Sequence, residues 1–214
     1  MKKIKIVDNK KIQKKDILFL LKFLNDYRKE KDGVYLPHPE KFRLFEKEKF
    51  IKIKNSYAIF SIDDIIEVAN IALQMTSDIK IVAKLLDWRV FERFISSIFE
   101  NNGYIVYVNK IIKNPRREID IVAVKRERIF VVDCKHWSKE IKKSNLEVII
   151  EKQKLRTKLL LEREWKGHKA IPLIITLHKN LEINFEGVPI VSVDNLNNFL
   201  LNIYDFLDQI LVIE

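Results

Sequence analysis

Cysteine is nearly absent from this chain of 214 residues: Cys134 stands alone. A single thiol makes no internal disulfide and no cysteine-cluster metal site. Glycine and proline are scarce too, at four and five residues, which argues against low complexity and disorder. No uninterrupted apolar run exceeds five residues, at positions 17–21, whereas a membrane-spanning helix needs about 20. An integral membrane protein is therefore not expected. The opening Met1-Lys2-Lys3-Ile4-Lys5 is basic but leads into no apolar core or small-residue cleavage site, so no secretory signal is expected. No phosphate-cradling glycine loop is present, which leaves ATP or dinucleotide binding without support. His38, His168 and His178 lack the spacing of zinc ligands. With 47% apolar and 33% charged residues, the chain reads as a globular cytoplasmic protein with a sizeable core.

What is present in excess is positive charge. Forty Lys and Arg against thirty Asp and Glu give +10, with a sequence pI near 9.5, which suits a polyanionic partner. The charge is uneven. Residues 109–143 hold eleven basic and five acidic side chains, while residues 180–214 hold six acids and no Lys or Arg. A basic centre beside an acidic tail region is the asymmetry of a nucleic-acid-binding surface with an inert back.

Two regions read differently, 1–85 and 86–214. The first opens with a predicted strand at 4–7 and a helix over 16–30, with Ile17, Leu20, Leu21 and Leu24 on one stripe. Asp32-Gly33 and the Pro37/Pro39 pair break that pattern. Residues 50–60 read as a hairpin around Asn55-Ser56. Ser61-Ile62-Asp63-Asp64 opens a helix over 62–75. The region reads as a mainly helical α+β domain, either winged-helix-like or a small cap.

The second region begins with a helix over 87–102, closed by Asn101-Asn102-Gly103. Phe91, Phe94, Ile95, Ile98 and Phe99 form its apolar stripe. Strands are predicted at 104–109, 118–125 and 129–135, then a long helix at 146–164 and strands at 171–177 and 188–193. Asp194 is placed to cap a last helix reaching Leu211.

The hairpin between the second and third of these strands carries the chemistry. If its turn centres on Arg126-Glu127, Asp120 faces Asp133, Val122 faces Val131, Val124 faces Ile129 and Glu118 faces Lys135. The other face then carries Ile119, Ile121 and Ala123 beside Cys134, Val132 and Phe130, which makes Cys134 a small core residue. Facing Cβ atoms lie roughly 4.5–5.5 Å apart, and like charges so placed destabilise a sheet. A divalent cation gives a reason for them, since hard cations are held by one or two carboxylates plus water and substrate phosphate. Lys135, on the same face, is placed to hold an attacking water or steady charge on a phosphate. The plainer alternative is a strand that ends at the surface, with Asp120 paired to a nearby Arg.

Two further positions bear on the choice. Glu92 lies at the border of the first helix's apolar stripe. On the long helix, Gln153 and Thr157 interrupt the run Leu146, Ile149, Ile150, Leu160, Leu161. A buried amide without a partner costs ~1–3 kcal/mol, and the acidic site is the expected partner of both. His136-Trp137 reads either as a base-stacking pair or, more simply, as packing at the strand end.

Glu92, then Glu118-Ile119-Asp120-Ile121-Val122-Ala123, then Val132-Asp133-Cys134-Lys135-His136-Trp137, then Gln153 resemble the PD-(D/E)XK nuclease superfamily. The likeness is to its Mrr-type restriction endonucleases and archaeal Holliday-junction resolvases, and it covers about residues 88–177. It implies an α/β restriction-endonuclease-like core, a mixed β-sheet flanked by helices, that hydrolyses phosphodiester bonds with Mg²⁺ or Mn²⁺. On this resemblance Glu92, Asp120 and Asp133 bind metal, Lys135 is catalytic and Gln153 is an auxiliary site residue. Ile119 stands where the motif has Pro, and Asp133 stands where Glu or Gln is usual, with a shorter arm toward the metal.

The expected function is a metal-dependent DNA endonuclease, compatible with a homodimer. Arg116, Arg117, Arg126, Arg128 and Lys139 are the expected phosphate contacts. The alternative from another class is a nuclease-fold DNA-binding or assembly subunit with little or no activity, and a third reading is an RNA-processing nuclease.

Overall fold

A computed structural model describes residues 12–28, 33–137, 143–178 and 184–214. The expected strand at 4–7, Asp32 and Lys139 lie outside the described residues; the helix expected over 16–30 starts at Lys14 and ends at Asp26, where Tyr27 caps it. By its internal contacts the chain divides into two compact units, Met1–Val90 and Phe91–Glu214.

The first unit is α+β. Its helices are α1 (Lys14–Asp26), the short α2 (Arg43–Lys47), α3 (Ile62–Thr76) and α4 (Ile79–Leu85); its strands are β1 (Val34–Tyr35), β2 (Lys52–Lys54) and β3 (Tyr57–Ile59). The strands form an antiparallel sheet in the order β1-β3-β2. Ile17, Leu20, Leu21 and Leu24 of α1 are buried, as are Ile65, Val68, Ala69 and Ala72 of α3. Those stripes are the ones the 3.6-residue period picks out. Asn55 and Ser56 take φ of 50° and 65°, the paired positive values of a two-residue hairpin turn. Ser61 caps α3 and Asp64 completes the capping box. Helix α4 has no counterpart in the sequence reading; it is two turns long and is nucleated by Asp78, whose carboxylate accepts from the Lys80 and Ile81 N–H groups.

Helix α5 (Trp88–Asn101) spans the division, and Asp87 accepts hydrogen bonds from the Arg89 and Val90 N–H groups at its start. The second unit continues with β4 (Ile105–Ile112), β5 (Arg117–Lys125), β6 (Arg128–Lys135), α6 (Lys143–Glu164), β7 (Ala170–Thr176), β8 (Asn184–Phe185), β9 (Val188–Ser192) and α7 (Val193–Leu201). One sheet runs β4-β5-β6-β7-β9-β8. The β4/β5, β5/β6 and β8/β9 pairs are antiparallel; β6/β7 and β7/β9 are parallel. This is the mixed sheet with flanking helices expected of a restriction-endonuclease-like core.

Strand alternation decides what each face meets. Phe130 of β6 lies against Phe99 of α5, Tyr104 and Phe199 of α7, with ring centroids 5.9, 5.8 and 6.2 Å away. Val122, Ile129 and Val131 form the opposite face and cluster with Leu159, Leu160 and Leu161 of α6. The crossover from β6 through α6 to β7 therefore puts the C-terminal end of β6 beneath α6. In open α/β sheets that end is where ligands bind.

Other boundaries differ from the sequence reading as well, among them the start of α6, at Lys143 rather than 146. Strand β4 runs three residues past Asn109, because Asn tolerates the left-handed φ of 53° found there. The last helix stops at Leu201 rather than Leu211 and gives way to a 3₁₀ stretch, Ile203–Gln209. Asn202 ends it by donating its side-chain amide to the Asn198 carbonyl at 2.9 Å. Asp194 sits in the first turn of α7, and Ser192 occupies the cap position.

Phe130 is fully buried among three rings. Phe130→Ala is expected to destabilise this unit by about 3–5 kcal/mol, the range for truncating a core aromatic. Urea denaturation followed by near-ultraviolet circular dichroism measures it, and a loss below about 1 kcal/mol would mean that the cavity collapses freely.

Candidate functional site

Strand β5 is interrupted at one residue, Asp120. Its ladder with β4 pairs Val108 with Ile121 and Lys110 with Ile119 but omits Asn109 and Asp120. Its ladder with β6 follows the register that an Arg126-Glu127 turn dictates, Lys125 with Arg128 through Ile121 with Val132, and stops one position short of Asp120 and Asp133. Past that point the Cys134 N–H donates to Asp120 Oδ2 at 2.7 Å. The carboxylate takes over where the backbone ladder ends. Asp120 is half-buried, and burial, followed by the charge of Asp133, pushes its pKa up from 3.8 to about 6. The Cys134 N–H, Lys135 and Arg156 pull the other way and do not cancel the effect.

Asp133 is the most enclosed charged group here, 2% exposed. Two cations hold it: Lys135 Nζ lies 2.7 Å from Oδ2, and Arg156 donates to Oδ1 at 2.8 Å. The Lys135 contact is off-axis, so Oδ2 has no directional hydrogen bond among the described residues. A buried carboxylate without such partners is strongly unfavourable. Arg156 was not picked out from the sequence, although it follows Gln153 by one helical turn and so borders the same face of α6. It resembles the Arg-paired alternative, except that the arginine sits on Asp133 rather than Asp120.

Gln153 is fully buried and donates to the Val131 carbonyl at 2.6 Å, which ties α6 to the middle of β6. Its carbonyl oxygen lies 3.5 Å from Arg156, close enough to orient that side chain toward Asp133. Thr157 does not turn to the acidic site as expected: its hydroxyl donates to the Gln153 carbonyl at 2.9 Å, a bond within the helix that Thr makes readily.

Glu92 is buried on α5, on the sheet face opposite Asp120 and Asp133. Burial, then the charges of Asp120, Glu92 and Asp133, push the Cys134 thiol well above its ordinary range. All three carboxylates are therefore within electrostatic reach of Cys134, which stays a thiol and not a nucleophile. His136 packs on Phe91 with centroids 4.8 Å apart. Trp137 is 43% exposed. It lines a cleft of about 350 Å³ with Asp133, Lys135, Asn145, Val148, Ile149, Lys152 and Arg156.

The remaining arginines divide. Arg116 and Arg117 are exposed at the end of β5 that carries Asp120. Arg126 and Arg128 are at the hairpin tip, seven positions along β6 from Lys135, roughly 23 Å at ~3.3 Å per residue. Arg128 is also engaged, over the Tyr204 ring at 4.5 Å and on the Tyr104 hydroxyl at 3.2 Å.

Among the described residues no three His, Cys, Asp or Glu side chains converge in metal-holding geometry. Mg²⁺, however, is ordinarily held by one or two carboxylates, with water and phosphate completing its shell. Asp120, with its raised pKa, and Asp133 Oδ2, with no directional donor, make up such an oxygen set. The donor chemistry fits a hard divalent cation.

Residues 87–175 match the family model of the nuclease-related domain, which bears out the nuclease resemblance of that segment and covers less than half of the chain. No curated protein matches. Among solved structures, a protein of unknown function, AF1548, is 17% identical over 47% of this chain and 55% of its own, with a TM-score of 0.34. Protein VC1899 from Vibrio cholerae is 12% identical over 90% of this chain and 51% of its own, at 0.40. The chain thus spans about half the length of these two. A complex of restriction endonuclease PspGI with substrate DNA is 6% identical over 94% and 96% of the two chains, at 0.34.

The raised Asp120 pKa has a consequence for stability. A carboxyl that binds its proton more tightly folded than unfolded costs stability once ionised, above about pH 6, and costs nothing below its unfolded value of 3.8. In EDTA, Asp120→Asn is expected to stabilise the protein by about 1–3 kcal/mol at pH 7.5. The gain should vanish by about pH 4. Urea unfolding of both proteins at the two pH values measures this, and equal stability at pH 7.5 would show that the charge is not strained.

Proposed function

We propose that this protein is a metal-dependent DNA endonuclease. The carrying observation is that Asp120, skipped by the β4 ladder and just past the end of the β6 ladder, stands beside Asp133 with its pKa pushed up to about 6, an arrangement that costs the fold stability. Asp120 and Asp133 would hold Mg²⁺ or Mn²⁺, with Glu92 joining from the other face. The bound cation would supply neutralising charge to the phosphate and a more acidic water. Lys135 Nζ, already turned to this end of β6 by Asp133, would donate to the attacking water or to a phosphate oxygen as the P–O bond breaks. Gln153 would keep α6 and Arg156 in place. Arg116 and Arg117 would take neighbouring phosphates, with Arg126, Arg128 and Lys139 contributing further along the DNA.

A second reading has its own observation. Lys135 and Arg156 already neutralise Asp133 from within the chain, which suits a nuclease-fold DNA-binding subunit with little activity.

Lys135→Ala separates the two. In the enzyme it should lower turnover by at least about 100-fold with less than about tenfold loss of affinity, because the ammonium acts mainly in the transition state. Asp120→Asn should abolish cleavage with affinity equal or higher, and EDTA should stop the wild type. Supercoiled, linear and four-way-junction DNA with Mg²⁺ serve as substrates, and titrations with Ca²⁺ give affinity. Wild-type protein that binds tightly yet cuts none of them would favour the binding subunit.

Under either reading affinity should fall with salt. About four phosphate contacts predict a log–log slope near −3.6, at ~0.9 per contact. A flat dependence between 50 and 200 mM salt, the interval over which ~6–10 contacts would cost 10³–10⁵, would rule out a polyanionic partner.

A further inference from the structure

The residue after Lys135 and the one beyond it are treated differently by the fold. Alternation sends His136 to the α5 face, where Phe91 covers it. Trp137 falls on the face of Asp133 and Lys135 and is left 43% exposed in the cleft beside them. Lys135 Nζ lies 5.8 Å from its ring centroid, within the range of a cation–π contact. Lys152 lines the same cleft and has no carboxylate within ion-pair distance among the described residues. Three cations, Lys135, Lys152 and Arg156, stand against the single carboxylate of Asp133 there. Val148, 53% exposed, adds an apolar wall.

We propose that this cleft receives an unpaired nucleotide, its base stacked on Trp137 and its phosphates on Lys135 and Lys152, so that the preferred substrate is a single-stranded segment. An indole ring beside cations is the combination that holds single strands, through base stacking along a basic groove. In a duplex each base face is covered by its neighbour, and exposing one requires unstacking. A cleft of about 350 Å³ is the size of a small-ligand site, not of a double helix. Placing the base on Trp137 puts its phosphate next to Lys135, the end of β6 where cleavage is proposed. The inference rests on the nuclease reading of the same site and names its substrate class.

The test compares a single-stranded DNA oligonucleotide with a blunt duplex of the same sequence, both with Ca²⁺ in place of Mg²⁺, for the wild type, Trp137→Ala and Trp137→Phe. The wild type should bind the single strand more tightly, with quenching of tryptophan fluorescence. Trp137→Ala should lose at least about fivefold in single-strand affinity, the low end for one stacked base, with duplex affinity unchanged. Trp137→Phe should keep most of the affinity and lose the quenching. Equal losses on both DNA forms, no loss on either, or quenching that survives in Trp137→Phe would overturn the proposal. Binding reports it separately from cutting. The expected affinities without cleavage by the wild type would remove the nuclease reading and leave stacking intact; duplex cleavage untouched in Trp137→Ala, with unchanged single-strand affinity, would do the reverse.

Discussion

The second unit is organised around a buried negative charge at the end of a strand. Asp133 is 2% exposed on β6, with the apolar Val131 and Val122 toward the middle of the sheet and Asp120 and Lys135 at its end. Lys135 of the same strand compensates it on one oxygen, and α6 brings the second cation, Arg156, to the other. This ties the helix to the sheet. Arg156 reaches Asp133 while Gln153, one turn before it, meets the Val131 carbonyl, and Leu160 and Leu161 cover the remainder of the face. Removing either cation from a buried pair costs far more than the pair itself contributes. The ion pairs thus act chiefly to specify which arrangement of α6 on the sheet is allowed.

Most of this frame was legible in the chain. The Arg126-Glu127 turn and two-residue alternation were enough to set the β5/β6 register, because a slip by one would have turned Asp120 and Asp133 out of the group and buried polar side chains with Phe130. The stripe of α5 was equally direct: Phe91, Phe94, Ile95 and Phe99 are fully buried. What escaped depends on distance in the chain or on single backbone angles. Arg156 lies 23 residues from Asp133, and its one local mark on a Lys-rich helix is its place a turn after Gln153. The break at Asn109 depends on one φ of 53°. At the end of α7 the Asn202 side-chain amide shares the Asn198 carbonyl with its own backbone N–H, where apolar periodicity continues beyond it.

Glu92 shows how the two faces of the sheet meet. It belongs to the α5 face with Cys134, while Asp120 and Asp133 belong to the α6 face, yet all three raise the pKa of the same thiol. Carboxylates on opposite faces approach each other only past the end of a strand, where no side-chain layer separates them. Among the described residues no set of three closes. In the proposed enzyme, the third carboxylate would be drawn in only when cation and phosphate fill the gap.

The same geometry links the two proposed activities of β6. Asp133 and Lys135 succeed one another on one face of β6, about 6.6 Å apart along an ideal strand, and Trp137, just past the strand's end, lines the same cleft. Lys135 Nζ lies 5.8 Å from the Trp137 ring, so a phosphate at Lys135 would bring its own base to Trp137. The internal ion pairs bear on this too. Lys135 is shared between Asp133 and the Trp137 ring, so a phosphate arriving there competes with a carboxylate for one ammonium. That competition favours a substrate able to bring a second attraction to the cleft, and an exposed base face is the attraction that Trp137 is placed to accept.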